Sequence, residues 1–259
     1  MKLNYKQFGQ GEPLIILHGL LGSLDNWQSI AKKLAERNTV YIIDQRNHGK
    51  SPHSDDFSYE ILVEDLLNFY AEHNLQTANL LGHSMGGKAV MLFALMYPEK
   101  VNKLLVADVA PVDYEDKHRI IFNALLTADL KRATTRDDVQ KNIEKYIQDK
   151  ANVQFLMKGL DRDENNNFVW RFNVEALHKH YNEIMGFPST NPPGGRTGAV
   201  FSKPTLFLKG EKSDYITSEN YPQIERYFPN NEITEIAGAG HWVHADNPAA
   251  FIKAVESFL

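Results

Sequence analysis

Gly82-His83-Ser84-Met85-Gly86 sets a serine between two glycines, the G-x-S-x-G pattern of a nucleophile exposed on a sharp strand-to-helix turn. A serine hydroxyl is a weak nucleophile at neutral pH and needs a base within hydrogen-bonding reach. Of the ten histidines, His241 is the candidate base. It follows the flexible run Ala237-Gly238-Ala239-Gly240, which can carry an imidazole over a sheet edge. The base needs a carboxylate to accept its other ring proton and to stabilise the imidazolium. Asp108 and Asp214 both stand between Ser84 and His241, each at the end of an apolar run. Spacing slightly favours Asp214, because the loop after the later strand commonly supplies the acid. Asp246-Asn247-Pro248 reads instead as a helix start with Pro in the first turn.

Acyl chemistry also needs donors aimed at the oxygen on which charge develops. His18-Gly19-Leu20-Leu21-Gly22 is a Gly-containing turn that can present the backbone N–H of Leu20, and Met85 supplies a second N–H directly after the nucleophile. Losing one such donor typically costs roughly 10²–10³ in rate. The remaining histidines have plainer readings. His18 and His83 shape loops, His73 and His118 are solvated helix positions, and His178 and His180 lie in a polar stretch. His241 and His244 lack the cysteine or acidic partners of a metal site, so no metal is expected. Asp44 to Ser51 reads as a structural loop in which Arg46 pairs locally. It lacks the G-x-x-x-x-G-K-[ST] phosphate cradle.

These residues need a scaffold, and the hydrophobic pattern supplies one. Leu14–Leu17, Val40–Ile43, Asn79–Leu81, Lys103–Ala107, Thr205–Leu208 and Glu232–Ile236 are strand-sized apolar runs. Helical spacing follows most of them, over Trp27–Leu34, Tyr59–Tyr70, Met85–Met96, Tyr221–Tyr227 and from Pro248. Such alternation predicts an α/β fold with a mostly parallel central sheet flanked by helices. From Tyr114 to Phe187 the pattern is helical almost throughout, broken by Asn165-Asn166-Asn167 and an extended piece, Phe168–Phe172. Pro188 to Gly198 reads as a hinge or linker. The expected organisation is therefore a core over 1–112 and 200–259, with a helical lid inserted over 113–199. Trp170, Phe172 and Phe187 are candidate wall residues of the lid, bounding a substrate.

Bulk properties narrow the partners. At 259 residues the chain can bury one large core. A net charge of −5 leaves no electrostatic pull towards nucleic acid or an anionic membrane. No apolar run approaches the ~20 residues that span a bilayer, and the N-terminal residues do not form a leader, so a cytoplasmic protein is expected. The absence of cysteine excludes disulfides and thiolate nucleophiles.

The segments HGLLGSLDNW (18–27), DQRNHGKSP (44–52), GHSMGGKAVM (82–91), ADVAPVDY (107–114), WRFN (170–173) and AGAGHWVHAD (237–246) resemble the bacterial YbfF-type esterases, a branch of the α/β-hydrolase family. They spread over nearly the whole chain. The resemblance implies an α/β-hydrolase fold and cofactor-free hydrolysis of small-molecule carboxylic esters or acyl thioesters with small to medium acyl groups. It also implies that the strand-end aspartate, Asp108, is the triad acid, with Asp214 the alternative. Other reactions on the same scaffold, such as a lyase or carbon–carbon bond hydrolase, and a non-catalytic ligand receptor are the competing functions. A haloalkane dehalogenase would carry Asp where this chain has Ser84.

Overall fold

The computed structural model describes residues 1–116, 119–188 and 199–259. Among these, a seven-stranded sheet runs in the order β1 (Tyr5–Phe8), β3 (Asn38–Ile43), β2 (Glu12–Leu17), β4 (Ala78–His83), β5 (Val101–Ala107), β8 (Thr205–Gly210), β9 (Asn231–Ile236). Only the β1–β3 pair is antiparallel. The mostly parallel sheet is as expected, with β1 as an addition on the edge.

Side chains of the central strands alternate between two buried layers, as a period of two requires. Leu14, Ile16, Val40, Ile42, Leu81, Leu105, Leu206 and Leu208 face one layer, packed by helices α1 (Gln28–Leu34) and α11 (Pro248–Phe258). Ile15, Leu17, Ile43, Leu80, Leu104, Val106 and Phe207 face the other, with α2 (Tyr59–Glu72) and α3 (Met85–Met96). Every residue of α3 from Met85 to Leu95 is buried. That is the environment of a helix apolar all round, trapped between the sheet and α2.

Strand order sets the place of the site. The chain steps from β2 outward to β3, then returns to lay β4 against the other side of β2. The loops after β2 and β4 therefore leave in opposite directions and open a crevice at the carboxyl edge, where ligands bind in open α/β sheets. The loops carrying Leu20, Ser84, Asp108, Asp214 and His241 follow β2, β4, β5, β8 and β9, all ending on this edge.

Between β5 and β8 lie α4 (Arg119–Thr127), α5 (Arg136–Glu144), α6 (Lys150–Lys158), α7 (Val174–Lys179) and α8 (Tyr181–Met185). A small antiparallel pair, β6 (Leu160–Arg162) with β7 (Phe168–Trp170), interrupts them. The extended piece at Phe168 is thus half of a hairpin around the Asn165–Asn167 turn. The hinge expected over Pro188 to Gly198 lies, after Pro188, outside the described residues, as does His118. Two further helices, α9 (Tyr221–Tyr227) and α10 (Val243–Asp246), complete the core. No described helix is long and apolar enough to cross a membrane.

Candidate active site

Ser84 caps α3 with φ 52° and ψ −118°, a conformation costly for any residue with a Cβ. The turn is possible because its neighbours lack side chains. A Cβ on Gly82 would sit 2.2 Å from the Gly86 carbonyl, and one on Gly86 would sit 2.5 Å from the His18 carbonyl. The Ser84 N–H donates to the Ala107 carbonyl at 3.1 Å, and the Ser84 carbonyl accepts from Lys88 N at 3.0 Å. The backbone is thus held on both sides while the side chain faces a cavity of about 790 Å³.

Asp108 also has positive φ, 50°, and its residue is fully buried. Its N–H donates to the Leu208 carbonyl at 2.8 Å, continuing the β5–β8 ladder past the strand end. Oδ1 accepts from Gly210 N at 2.9 Å, and Oδ2 accepts from Ser213 Oγ. The same Oδ2 lies 2.8 Å from His241 Nδ1. Burial of a carboxylate is tolerable here because its lone pairs are met by donors. His241 faces the same cavity as Ser84. With Nδ1 donating to Asp108, Nε2 keeps its lone pair.

Asp214, which spacing favoured, is exposed, and Asp108 is the carboxylate against the imidazole. The loop favoured by spacing serves the Asp108 carboxylate without supplying it. That loop contributes Gly210 N and Ser213 Oγ to the Asp108 carboxylate, and its Tyr215 stacks on the His241 ring, with centroids 3.8 Å apart and planes at 18°. Tyr215 is held from behind, since its carbonyl accepts from Tyr114 Oη at 2.5 Å while Tyr114 Oη accepts from Ala110 N at 2.7 Å. Neither Ser213 nor Tyr215 had a motif to mark it, and Tyr114 only closes the segment ADVAPVDY.

Neutral histidines brace the surrounding loops. His83 Nε2 donates to the His241 carbonyl at 2.8 Å, fixing the backbone of that loop. Burial, reinforced by His241 and His244, keeps its pKa well below the ordinary histidine value. His18 and His48 form a second pair with ring centroids 4.9 Å apart. Burial lowers them to about 4 and about 3. His48 Nδ1 donates to the Arg46 carbonyl at 2.9 Å, so its Nε2 accepts from Leu21 N at 3.1 Å. This bond pins Leu21 at φ 59° and leaves Leu20 N, without a protein acceptor among the described residues, at the cavity wall. Met85 N opens α3 and is one of the orphan donors of a helix start.

One histidine reading changes. His73 is half-buried against Phe69, Tyr5 and Tyr41 rather than solvated. His244 is buried and stacks on Trp27 at 4.1 Å, and burial pushes its pKa down to about 3. Arg46 pairs across sequence, not locally, gripping Asp65 on α2 with Nε at 2.6 Å and Nη2 at 3.0 Å.

The cavity wall differs from expectation. Ile121, Ile147, Phe155, Leu156, Ile184 and Met185 line it from the insertion, whereas Trp170, Phe172 and Phe187 do not. Trp170 and Phe172 stack on each other at 5.4 Å, and Phe172 closes so tightly on Gly159 that a Cβ there would lie 2.2 Å from the ring. Phe187 packs on Tyr227. The segment 170–173 instead docks the insertion, with Arg171 Nη1 on Asp25 at 2.8 Å and Asn173 N on the Asn47 carbonyl at 2.9 Å.

Comparison with known proteins agrees with the fold. A family model described as alpha/beta hydrolase fold matches residues 12–248. The chain is 34% identical over 265 residues to esterase YbfF of Escherichia coli, covering all of this chain and 99% of that protein. It is 37% identical to a protein of Danio rerio named sn-1-specific diacylglycerol lipase ABHD11, over all of this chain and 83% of the relative. A solved structure titled marine microorganism esterase superposes with TM-score 0.93 at 44% identity, covering 100% of this chain and 99% of that one.

Proposed function

The chain belongs to the α/β-hydrolase fold family, and from that premise we propose that it is a carboxylesterase acting through Ser84, His241 and Asp108. The observation that carries the reading is the His241 Nδ1 contact of 2.8 Å with buried Asp108, on an imidazole that shares its cavity with a serine at φ 52°. Relatives named as an esterase and as a diacylglycerol lipase support the ester as substrate.

His241 Nε2 takes the proton of Ser84 Oγ as the oxygen attacks the ester carbonyl, and Asp108 stabilises the imidazolium that results. The N–H groups of Leu20 and Met85 meet the oxyanion. Collapse expels the alcohol, which takes its proton from His241, and leaves the acyl group on Ser84. Water, deprotonated by His241, then attacks the acyl-enzyme. Collapse of that second intermediate releases the carboxylic acid and returns the proton to Ser84. A thioester follows the same route with a thiol leaving group.

The insertion, residues 113–199, serves as a lid. Its apolar wall suits small to medium acyl chains and keeps bulk water from the acyl-enzyme. No metal-binding or cofactor step enters this scheme.

Replacing Ser84 by Ala should reduce hydrolysis of p-nitrophenyl butyrate by about 10⁶-fold and abolish labelling by a fluorophosphonate. Retention of wild-type turnover in that variant would end the proposal.

A further inference from the structure

Lys88 is a buried cation for which the reaction above has no use. It lies one helical turn beyond Ser84 on α3 and is only 2% exposed. Its ammonium has three protons and meets three carbonyl oxygens, those of Ile184 at 3.3 Å, Met185 at 2.6 Å and Gly186 at 2.8 Å. All three belong to the C-terminal end of α8, where carbonyls lack helical partners and the dipole is negative. Tyr59 Oη on α2 donates to the same Ile184 carbonyl at 2.7 Å. The rings of Tyr114 and Tyr59 lie 4.8 Å and 6.0 Å from the ammonium.

This is where the insertion joins the core. Tyr114 N at its entry donates to the Met185 carbonyl at 3.0 Å, and Phe187 N at its exit donates to Asp113 Oδ1 at 2.6 Å. Two of the three residues whose carbonyls Lys88 grips, Ile184 and Met185, also line the cavity. The helix that presents the nucleophile therefore carries the charge that fixes one wall of the substrate site.

We propose that Lys88 is a positioning residue for acyl-chain selection, its ammonium holding Ile184 and Met185 at a set distance from Ser84 so that longer acyl groups find a formed wall. The inference rests on the ester-hydrolase reading of the cavity. It concerns which ester is preferred, not whether esters are cleaved.

Charge on Lys88 matters to the count of bonds. An ammonium satisfies all three carbonyls, whereas the neutral amine has two protons and turns a lone pair on the third. Burial lowers the Lys88 pKa to about 7, with Asp113 opposing the shift. Tyr59 and Tyr114, the other titratable groups against the ammonium, are held neutral by burial, which raises both. The protonated form and its full grip are present below pH about 7 and fade as pH rises through it.

The test compares p-nitrophenyl hexanoate with p-nitrophenyl acetate on the full chain. The acid–base chemistry is common to both esters, so its pH dependence cancels in the ratio of their kcat/KM values. In Lys88→Met the hexanoate-to-acetate ratio should fall about tenfold, mainly through KM for hexanoate. In the wild type the same ratio should decline between pH 6 and 8, and in Lys88→Met it should be flat. A ratio unchanged by the substitution, or lost equally for both esters, would overturn the proposal while leaving the esterase reading intact. If Lys88→Met does not fold, Lys88→Gln, which keeps hydrogen-bond donors but not the charge, is read by the same ratio, and an unchanged ratio refutes the inference. Absence of turnover on either ester by the wild type would refute the esterase reading instead.

Discussion

The carboxyl edge of the sheet and the helical insertion are built on different terms. On the edge, each group proposed for chemistry is held by main chain: Ser84 between the Ala107 carbonyl and Lys88 N, Asp108 by the Leu208 carbonyl and Gly210 N, His241 by His83 on its carbonyl. The insertion is a set of helices of five to nine residues that meets the core at a few seams. Those seams include Lys88 and Tyr59 at Ile184, Asn173 at Asn47, Arg171 at Asp25, Tyr114 at Tyr215 and His180 at Asp55. Strained backbone conformations at Ser84 and Asp108 persist only where surrounding structure over-determines them. The sheet edge provides that constraint, so reactive geometry sits there. The insertion contributes side chains that bound the substrate, and it reaches the edge through Tyr114, which holds Tyr215 against His241.

The sharpest way to break this comparison is at the acid. Asp108→Asn keeps the shape but removes the charge and turns an acceptor into a donor, which should cut kcat by about 10⁴-fold. Asp214→Asn, in the exit loop four residues past the end of β8 and exposed, should change kcat by less than about threefold. Steady-state kinetics on p-nitrophenyl butyrate separates the two. The reverse ranking would show that the loop after β8, not the end of β5, supplies the carboxylate.

How much of this was legible in the sequence follows the same division. Met85–Met96 and Tyr221–Tyr227 match their expected bounds because apolar spacing at helical period and a following Pro98 or Pro229 leave little choice. The parallel strands were legible because burial on both faces makes them near-continuous apolar runs. Tyr5–Phe8 was not, since an edge strand with Lys6 and Gln7 exposed carries no such run. Periodicity marks Trp170 and Phe172 as buried but does not say against what, and they fill the insertion's own interior rather than the cavity. Lys88 and Tyr215 were invisible for a related reason. Their partners are carbonyls at Ile184–Gly186 and an imidazole at His241, far along the chain and brought close only by the fold.

A smaller effect tests whether the oxyanion turn is as rigid as the edge it belongs to. His48→Phe keeps an aromatic ring, somewhat larger, but removes the acceptor of the Leu21 N–H and the donor to the Arg46 carbonyl, leaving both buried groups unsatisfied. Leu21 holds an unfavourable positive φ only while that bond exists. Its relaxation would draw Leu20 N from the oxyanion. A fall in kcat of about 10- to 100-fold is expected, below the full loss of a donor, with KM little changed. Unaltered kcat would mean that the turn after β2 keeps its shape without His48.

The gentlest test lies inside the insertion and asks whether its aromatics divide as the cavity does. Phe155 is half-buried, lines the cavity and packs on Trp242 at 5.1 Å. Phe155→Ala removes apolar surface from the substrate wall, so KM for p-nitrophenyl butyrate should rise about threefold to tenfold while kcat stays within about twofold. Trp170 is also half-buried, but its contact is Phe172 rather than the cavity. Trp170→Ala should lower the melting temperature by a few degrees and leave KM within about twofold. If Trp170→Ala moved KM as far as Phe155→Ala, the packed interior of the insertion and its cavity face would be one mechanical unit. The wall would then be set by the whole helical array, and the seams at Lys88, Asn173 and Arg171 would be too few to define it.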